Sequence, residues 1–214
     1  MVGDVYRRRL DALEQTWQAW AELGRGLTEQ QWSTPTRCPG WDVACVYAHV
    51  SMFPLEMSVP PPPAPVDQPV GLPVTAVQLL GQYNTPTGVA TTMAPTIADN
   101  AVIEAAQHSR AQLVQRFTVH GPRAIQRLRT TAATTVGPWP PSGVLITLVE
   151  ALRIVLLEAT VHLLDLQRAL GHSPAVPVAA LRGTAQLLAE LAPAVELIEA
   201  ATGRSRHCPF PVLR

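Results

Sequence analysis

The side chains best suited to chemistry lie in one apolar stretch, residues 144–170, which carries Glu158, His162 and Asp165 among leucine, valine and isoleucine. Residues four apart on a helix project from the same side, so His162 lies one turn beyond Glu158, and Asp165 follows one turn later. An ionised carboxylate buried among apolar side chains is unfavourable unless it is paired or bound to a metal. The pattern therefore leaves two alternatives open: a Glu–His hydrogen bond inside a core, or part of a metal site.

A Glu–His pair alone does not complete a catalytic metal site. Catalytic zinc usually takes three protein ligands and keeps a fourth position open. A third ligand must therefore come from another part of the chain. In the same stretch, Arg153 is expected to pair with Glu150, because five residues place it well round the helix from the Glu158 side.

The elements that must position these residues are predicted to be helices. Apolar residues recur at three- and four-residue spacings in several segments, and no convincing alternating strand pattern appears. The sequence therefore predicts an all-α four-helix bundle with long crossover loops and a short extra C-terminal helix. Bundles of this kind build metal and ligand sites from facing helices. Helices are predicted at 5–24, 27–32, 43–53, 75–83, 97–118 with a brief continuation at 123–129, 144–170 and 178–202.

Proline and glycine mark the expected breaks between these helices. The Gly-Pro pair at 121–122 is expected to interrupt the third main helix, and the Gly-Pro-Trp-Pro-Pro run at 137–141 to form a rigid entry to the central one. The proline-rich segment 54–73 suits neither helix nor sheet and is predicted to be an extended or mobile loop. It is interpreted as a covering loop or spacer, with a docking ligand for another protein as the alternative.

Length and composition favour a single domain, 1–214, with a full core. The formal net charge is +0 and no long basic block stands out, so nucleic acid is not an expected partner. No signal-peptide-like or membrane-spanning stretch is apparent, so we expect a cytoplasmic protein without a membrane partner. The sparse cysteines do not suggest a disulfide scaffold, and Cys45 is expected to be a small buried hydrophobic residue.

Three segments together resemble one known family. The stretch 27–50, LTEQQWSTPTRCPGWDVACVYAHV, closely resembles the N-terminal signature of the mycothiol-dependent maleylpyruvate isomerase-like family (N-terminal domain type) within the DinB-like metal-binding helical bundles. The run Glu158-Ala-Thr-Val-His162 with the following Leu-Leu-Asp resembles its second motif, and 201–212 resembles its C-terminal ending. The resemblance implies a DinB-like bundle in which His49, Glu158 and His162 bind a divalent metal.

The same resemblance implies what the site does. Zinc is the expected metal, although these ligand types also suit nickel, iron or manganese. Mycothiol would fill the open position with its sulfur, a metal beside a thiol stabilises the thiolate, and the thiolate would attack an electrophilic carbon of a small metabolite. Glu158, His162 and Asp165 are the predicted catalytic residues, with Asp165 expected either to orient His162 or to cap a neighbouring helix.

Three classes of function are open from the sequence. The first is a metal-dependent thiol S-transferase or isomerase acting on a small-molecule substrate. The second is a divergent tailoring enzyme that uses the metal as a Lewis acid on a substrate oxygen, without any thiol. The third is a non-enzymatic bundle that binds a metal, a ligand or a partner. A homodimer is compatible with the sequence.

Overall fold

The computed structural model describes residues 2–60, 71–205 and 207–213, and helices dominate it. Two strands, β1 (Val136–Trp139) and β2 (Val144–Thr147), pair in an antiparallel hairpin, and a π-helical turn occupies Arg116–His120. The α-helices are α1 (Val2–Gly26), α2 (Glu29–Trp32), α3 (Val43–Met57), α4 (Ala76–Tyr83), α5 (Val89–Thr92), α6 (Ala94–Gln107), α7 (Arg110–Gln115), α8 (Gly121–Thr130), α9 (Leu148–Ala169), α10 (Val178–Leu191) and α11 (Ala194–Ala201).

The predicted four-helix bundle is confirmed, and α1, α3, α9 and the segment from α7 through α8 form it. Their apolar faces meet in a core that fully buries Trp17, Trp20, Tyr47, Phe117 and Leu163. The Trp20 ring centroid lies 5.3 Å from that of Tyr47 and 5.2 Å from that of Phe117. Aromatic pairs at such distances add to the stabilisation that burial alone provides. The rings therefore fix the spacing between α1, α3 and the π turn.

The third bundle member differs from the prediction, since the expected helix 97–118 is broken at His108. The Ser109 side chain accepts a hydrogen bond from the Gln112 backbone amide, and the Gln112 side chain accepts one from the Ser109 backbone amide, so α7 starts with a capping box. The predicted break at 121–122 is wrong as well, because the helix continues through the π turn. Proline would clash with the carbonyl four residues earlier in a regular helix. The wider turn, in which the Gly121 amide bonds to the Arg116 carbonyl, leads directly into that proline.

The central helix begins at Leu148, four residues later than 144, and the expectation of no strands is wrong. Residues 144–147 form β2, which pairs with β1 from Val136↔Thr147 to Trp139↔Val144. Within 137–141, predicted as a rigid entry to the helix, Gly137, Pro138 and Trp139 belong to β1. β1 tolerates proline because, among the described residues, its outer edge has no partner strand. The prolines in this segment made it look unlike a strand, although Val136–Trp139 forms one.

α9 lies between two hydrophobic cores, which explains why its sequence is apolar almost all the way round. One face, including Leu152, Leu156 and Leu163, belongs to the bundle core. The opposite face, with Ile154 and Leu157, packs against a second core. The second core takes its other buried residues from α4, β2 and α10, namely Ala76, Leu79, Leu80, Ile146 and Leu187. A helix buried on both faces is expected to lack a polar stripe.

Two further boundaries differ from the sequence prediction. α3 runs to Met57 with Pro54 inside it, so the proline-rich loop does not begin at 54; residues 61–70 of that predicted loop lie outside the described residues. The predicted helix 178–202 is two helices, because Pro193 cannot continue α10, and α11 is the expected short C-terminal helix. In the described part of the chain, no helix is both long and apolar enough to cross a membrane. The single domain stays a prediction.

Candidate metal centre

His49 reaches the centre of the bundle from α3. The helix begins at the Asp42 cap, whose carboxylate accepts a hydrogen bond from the Cys45 backbone amide at 2.9 Å. This bond satisfies one of the amides that a helix N-terminus leaves unpaired. Cys45 itself is buried, as predicted, and burial raises the pKa of its thiol to about 11. The capped start and the buried residues around it fix where α3 presents the His49 ring.

Glu158 and His162 reach the same place from α9, at the four-residue spacing that the sequence shows. Trp20 of α1 donates its indole N–H to the Ala159 carbonyl at 2.9 Å, in a fully buried position. A buried hydrogen bond of this kind is costly to leave unmade, so it ties the α9 backbone beside Glu158 to the bundle core. The predicted pair on α9 therefore stands on a rigid part of the fold.

The three predicted metal ligands converge on one point. The Nε2 atoms of His49 and His162 lie 3.6 Å and 3.5 Å from the same Glu158 oxygen, Oε2. The two imidazole rings are nearly perpendicular, with centroids 5.4 Å apart. Ligand atoms of all three residues lie within 4.8 Å of one another. Two imidazoles and one carboxylate at these separations fit a divalent transition metal and leave room for a further ligand.

The electrostatics of this group favour positive charge between the three side chains. Burial opposes ionisation of Glu158, but hydrogen bonds from His162 and His49 outweigh it and hold the pKa of the carboxyl far below its usual range. Burial also opposes protonation of His162, but hydrogen bonds with Asp165, Cys38 and Glu158 outweigh it and raise its pKa well above the usual value. The carboxylate is thus ionised and available to balance a cation.

Asp165 contacts His162, which is the arrangement expected of a residue that orients this ring. Its Oδ2 lies 2.8 Å from the Nδ1 of His162, and Arg37 donates to its other oxygen. The Asp165 side chain is only 5% exposed. Burial raises the pKa of this carboxyl, but the hydrogen bonds from His162 and Arg37 lower it further than burial raises it. Asp165 contacts no helix N-terminus through a side-chain bond in the described residues; it acts on the imidazole ring.

Sequence reasoning gave the residues of the turn 36–41 no role at the site, although they lie within the segment 27–50 that resembles the family. Cys38 Sγ lies 3.4 Å from Asp165 Oδ2, and Arg37 pairs with the same carboxylate. The Trp41 ring centroid lies 5.1 Å from that of His49 and 6.1 Å from that of His162. The available signal was the Cys-Pro-Gly-Trp turn just before the Asp42 cap, because a turn at a helix start projects its side chains beside that helix.

Other polar residues lie away from this centre. Arg153 pairs with Glu150 at 3.4 Å, as expected, and also with Glu190 at 2.7 Å. A surface cavity lies on another side of the bundle and is lined by α1, the π turn and α8, with Trp17 and Phe117 in its wall. None of His49, Glu158 and His162 lines that cavity. The converging donors, and not the cavity, therefore identify the candidate site.

Comparisons with known proteins give the family and the fold of this chain. Residues 13–167 match the family model described as the mycothiol maleylpyruvate isomerase N-terminal domain. The fold is similar to the crystal structure of a histidine-to-alanine mutant of the mycothiol-dependent maleylpyruvate isomerase, with a TM-score of 0.54 and 14% identity over 94% of this chain and 73% of that chain. A search of curated proteins gives no significant match. The likeness in structure shows the DinB-like fold, and the match over more than half of the chain shows that it belongs to the mycothiol maleylpyruvate isomerase N-terminal domain family.

Proposed function

We propose that this protein is a metal-dependent enzyme that activates a low-molecular-weight thiol, such as mycothiol, for transfer to or isomerisation of a small electrophilic metabolite. The observation that carries the proposal is the convergence of His49 Nε2 and His162 Nε2 on Glu158 Oε2, at 3.6 Å and 3.5 Å. The family name supports mycothiol as the thiol, and the name of the similar isomerase supports isomerisation over transfer.

His49, Glu158 and His162 would hold the metal, with zinc as the first expectation and nickel, iron or manganese as alternatives. The fit follows from the donor types, from ligand atoms within 4.8 Å of one another, and from the ionised state of Glu158. When bound, a divalent metal favours the thiolate form of a thiol that enters its open position, because coordination selects the deprotonated ligand. That thiolate is the nucleophile the proposed reaction needs.

The other groups prepare the site. Asp165, predicted as catalytic, is better described as a positioning residue, since its contacts are with His162, Arg37 and Cys38. By accepting a hydrogen bond from Nδ1 at 2.8 Å, Asp165 holds the ring so that Nε2, which lies 3.5 Å from Glu158 Oε2, would be the nitrogen that binds the metal. The half-buried Trp41 ring stands against both histidine rings and restricts water around them. These residues fix the ligands before any metal or substrate arrives.

The first test measures metal content. Protein made without a metal-affinity tag should contain close to one divalent metal per chain, and the variants His49→Ala and His162→Ala should lose it. His172→Ala is the matched control, because His172 is exposed and lies outside the site. Negligible metal in all four proteins would contradict the proposal.

The second test asks whether a thiol enters the site. Cobalt replacing the native metal should give a sulfur-to-cobalt charge-transfer band when mycothiol is added, and proton release should accompany binding. Glutathione is the control thiol and should give a weaker band. A spectrum that ignores mycothiol but responds to an oxygen-donor substrate would favour Lewis-acid chemistry without a thiol. Unchanged ligand or partner binding by Glu158→Gln, with no turnover lost, would instead favour a non-enzymatic bundle.

A further inference from the structure

The Asp165 carboxylate contacts three side chains that come from two distant parts of the chain. Arg37 Nε bonds to Asp165 Oδ1, while His162 Nδ1 and Cys38 Sγ lie 2.8 Å and 3.4 Å from Asp165 Oδ2. The Arg37 side chain is 59% exposed, whereas Asp165 is almost completely buried. A buried carboxylate that receives a cation and two further donors keeps its negative charge and its orientation. Asp165 is therefore held by the turn 36–41 as much as by its own helix.

The turn that supplies Arg37 and Cys38 is internally rigid. Thr36 is bonded to the Trp41 carbonyl through its backbone amide at 3.0 Å and its hydroxyl at 2.9 Å. The same hydroxyl oxygen accepts from the Cys38 amide at 3.1 Å, and Gly40 adopts a φ of 78°, which glycine adopts without strain. A bridge between Pro35 and Asp42 closes the base of the turn. The turn thus leads directly into α3 with its side chains fixed.

We infer that Arg37 and Cys38 are positioning residues that, through Asp165, set which nitrogen of His162 carries the proton and so present Nε2 as the metal-binding atom. Asp165 and Glu158 are both acceptors when ionised, but Asp165 Oδ2 lies 2.8 Å from Nδ1 whereas Glu158 Oε2 lies 3.5 Å from Nε2, so the neutral ring donates from Nδ1. The opposite nitrogen then keeps its electron pair, on the side where Glu158 and His49 lie. This inference rests on the proposed metal-binding function and extends it to the turn 36–41.

An alternative use of the same atoms is less favourable. Cys38, His162 and Asp165 also have ligand atoms within 4.8 Å of one another, a separation that suits a metal. The Arg37 guanidinium already bonds to that carboxylate and would repel a second cation beside it. The Nδ1 atom of His162 is also engaged with Asp165. The contacts therefore favour a role for Cys38 and Asp165 in positioning His162 over a second metal-binding site.

The test compares zinc affinity and the imidazole proton in matched variants. Arg37→Met removes the guanidinium but keeps much of the aliphatic stem, with Arg8→Met on the exposed surface as its control. Cys38→Ala removes the thiol, and Cys38→Ser restores a donor. Loss of an outer-shell partner typically weakens metal affinity about 10- to 100-fold. We expect a loss in that range for Arg37→Met, a smaller loss for Cys38→Ala, and recovery in Cys38→Ser.

The second readout needs no metal. Nitrogen-15 spectra of the neutral His162 ring, recorded on metal-free protein at alkaline pH, should show the proton on Nδ1 in the wild type and a mixture of tautomers in Arg37→Met. Asp165→Asn should give the largest shift, with exposed Asp99→Asn as its control. If the wild type binds no zinc, the proposed function fails while these spectra still test the inference.

Two results would overturn the inference. The first is wild-type zinc affinity and wild-type His162 spectra in both Arg37→Met and Cys38→Ala. The second is a sulfur-to-cobalt band in cobalt protein without added thiol that disappears in Cys38→Ala, because that band would make Cys38 a direct ligand.

Discussion

Replacing Gly24 by alanine should destabilise the fold, although alanine is ordinarily the better helix residue. A Cβ added at Gly24 would lie 2.3 Å from the hydroxyl oxygen of Tyr47 and within 2.8 Å of two of its ring carbons. Tyr47 cannot move aside easily, because it is fully buried and packs against Trp20, Trp32 and Phe117 with ring centroids 4.9–5.3 Å apart. The usual gain from glycine to alanine inside a helix is about 0.5–1 kcal/mol.

The opposing costs are larger. Overpacking a well-packed core costs about 1–3 kcal/mol. Displacing the Tyr47 hydroxyl also breaks its 3.1 Å bond to the Trp20 carbonyl, and a buried group left without its partner costs about 1–3 kcal/mol. We therefore expect the free energy of unfolding of Gly24→Ala to fall by about 1–5 kcal/mol, once the helix gain is subtracted from these costs.

Chemical denaturation followed by circular dichroism measures this change. Gly26→Ala is the matched control, because a Cβ there meets nothing within 4 Å and the residue lies in the same helix. In a Tyr47→Phe background the closest clash is absent, so the penalty of Gly24→Ala should be smaller but still present. A Gly24→Ala protein at least as stable as the wild type would refute the reasoning.

Other consequences can be tested on the same protein. Arg116→Met should lower the free energy of unfolding by about 1–3 kcal/mol, because the buried guanidinium bonds to Glu104 at 2.8 Å. Chemical denaturation measures this change, and Glu104→Gln is the comparison variant that alters the other partner of the pair. Alkylation at about pH 8 should modify exposed Cys208 and spare Cys45, whose pKa is raised by burial to about 11; equal labelling by mass spectrometry would contradict it. Because the Cys45 pKa is higher in the folded state than the usual 9.0, this residue should reduce stability as pH rises from about 9 to about 11. The rise in melting temperature caused by zinc should shrink as pH falls, since protons compete for the histidine ligands; because the pKa of His162 is raised well above 6.5, the loss should already begin above that pH.

The candidate site could be predicted only in part, because several of its residues lie far apart in the sequence. Glu158 and His162 follow from local spacing on one helix, and their apolar surroundings signal that they need a partner. His49 is more than a hundred positions away, and the residues alone gave no reason to bring it to that helix; the family resemblance supplied it. Arg37 and Cys38 belong to a turn whose side chains meet Asp165 across a separation of 128 and 127 residues. Composition and periodicity carry no information about such a pairing.

The errors in the fold have a similar cause. Periodicity located α1, α3 and α9 of the bundle to within a few residues, because their buried faces repeat at helical spacing. It failed where backbone geometry decides: at Ser109, whose cap starts a new helix, and at the π turn that leads into the Gly-Pro pair. The hairpin at 136–147 was missed because strands of four residues are too short to show alternation.

The two cores on either side of α9 have a consequence for how the molecule opens. The second core joins α4, β2 and α10 through few buried side chains, while the candidate metal ligands stand on the bundle side. Small units with few buried contacts undergo sub-global unfolding at lower free energy than the main core. We expect the amides of α4 and the hairpin to exchange with solvent while α3 and α9 remain closed. A destabilising substitution in the second core would then lower the amount of protein in a cell, because proteases cleave the opened state. The activity of each molecule that stays folded should be unchanged.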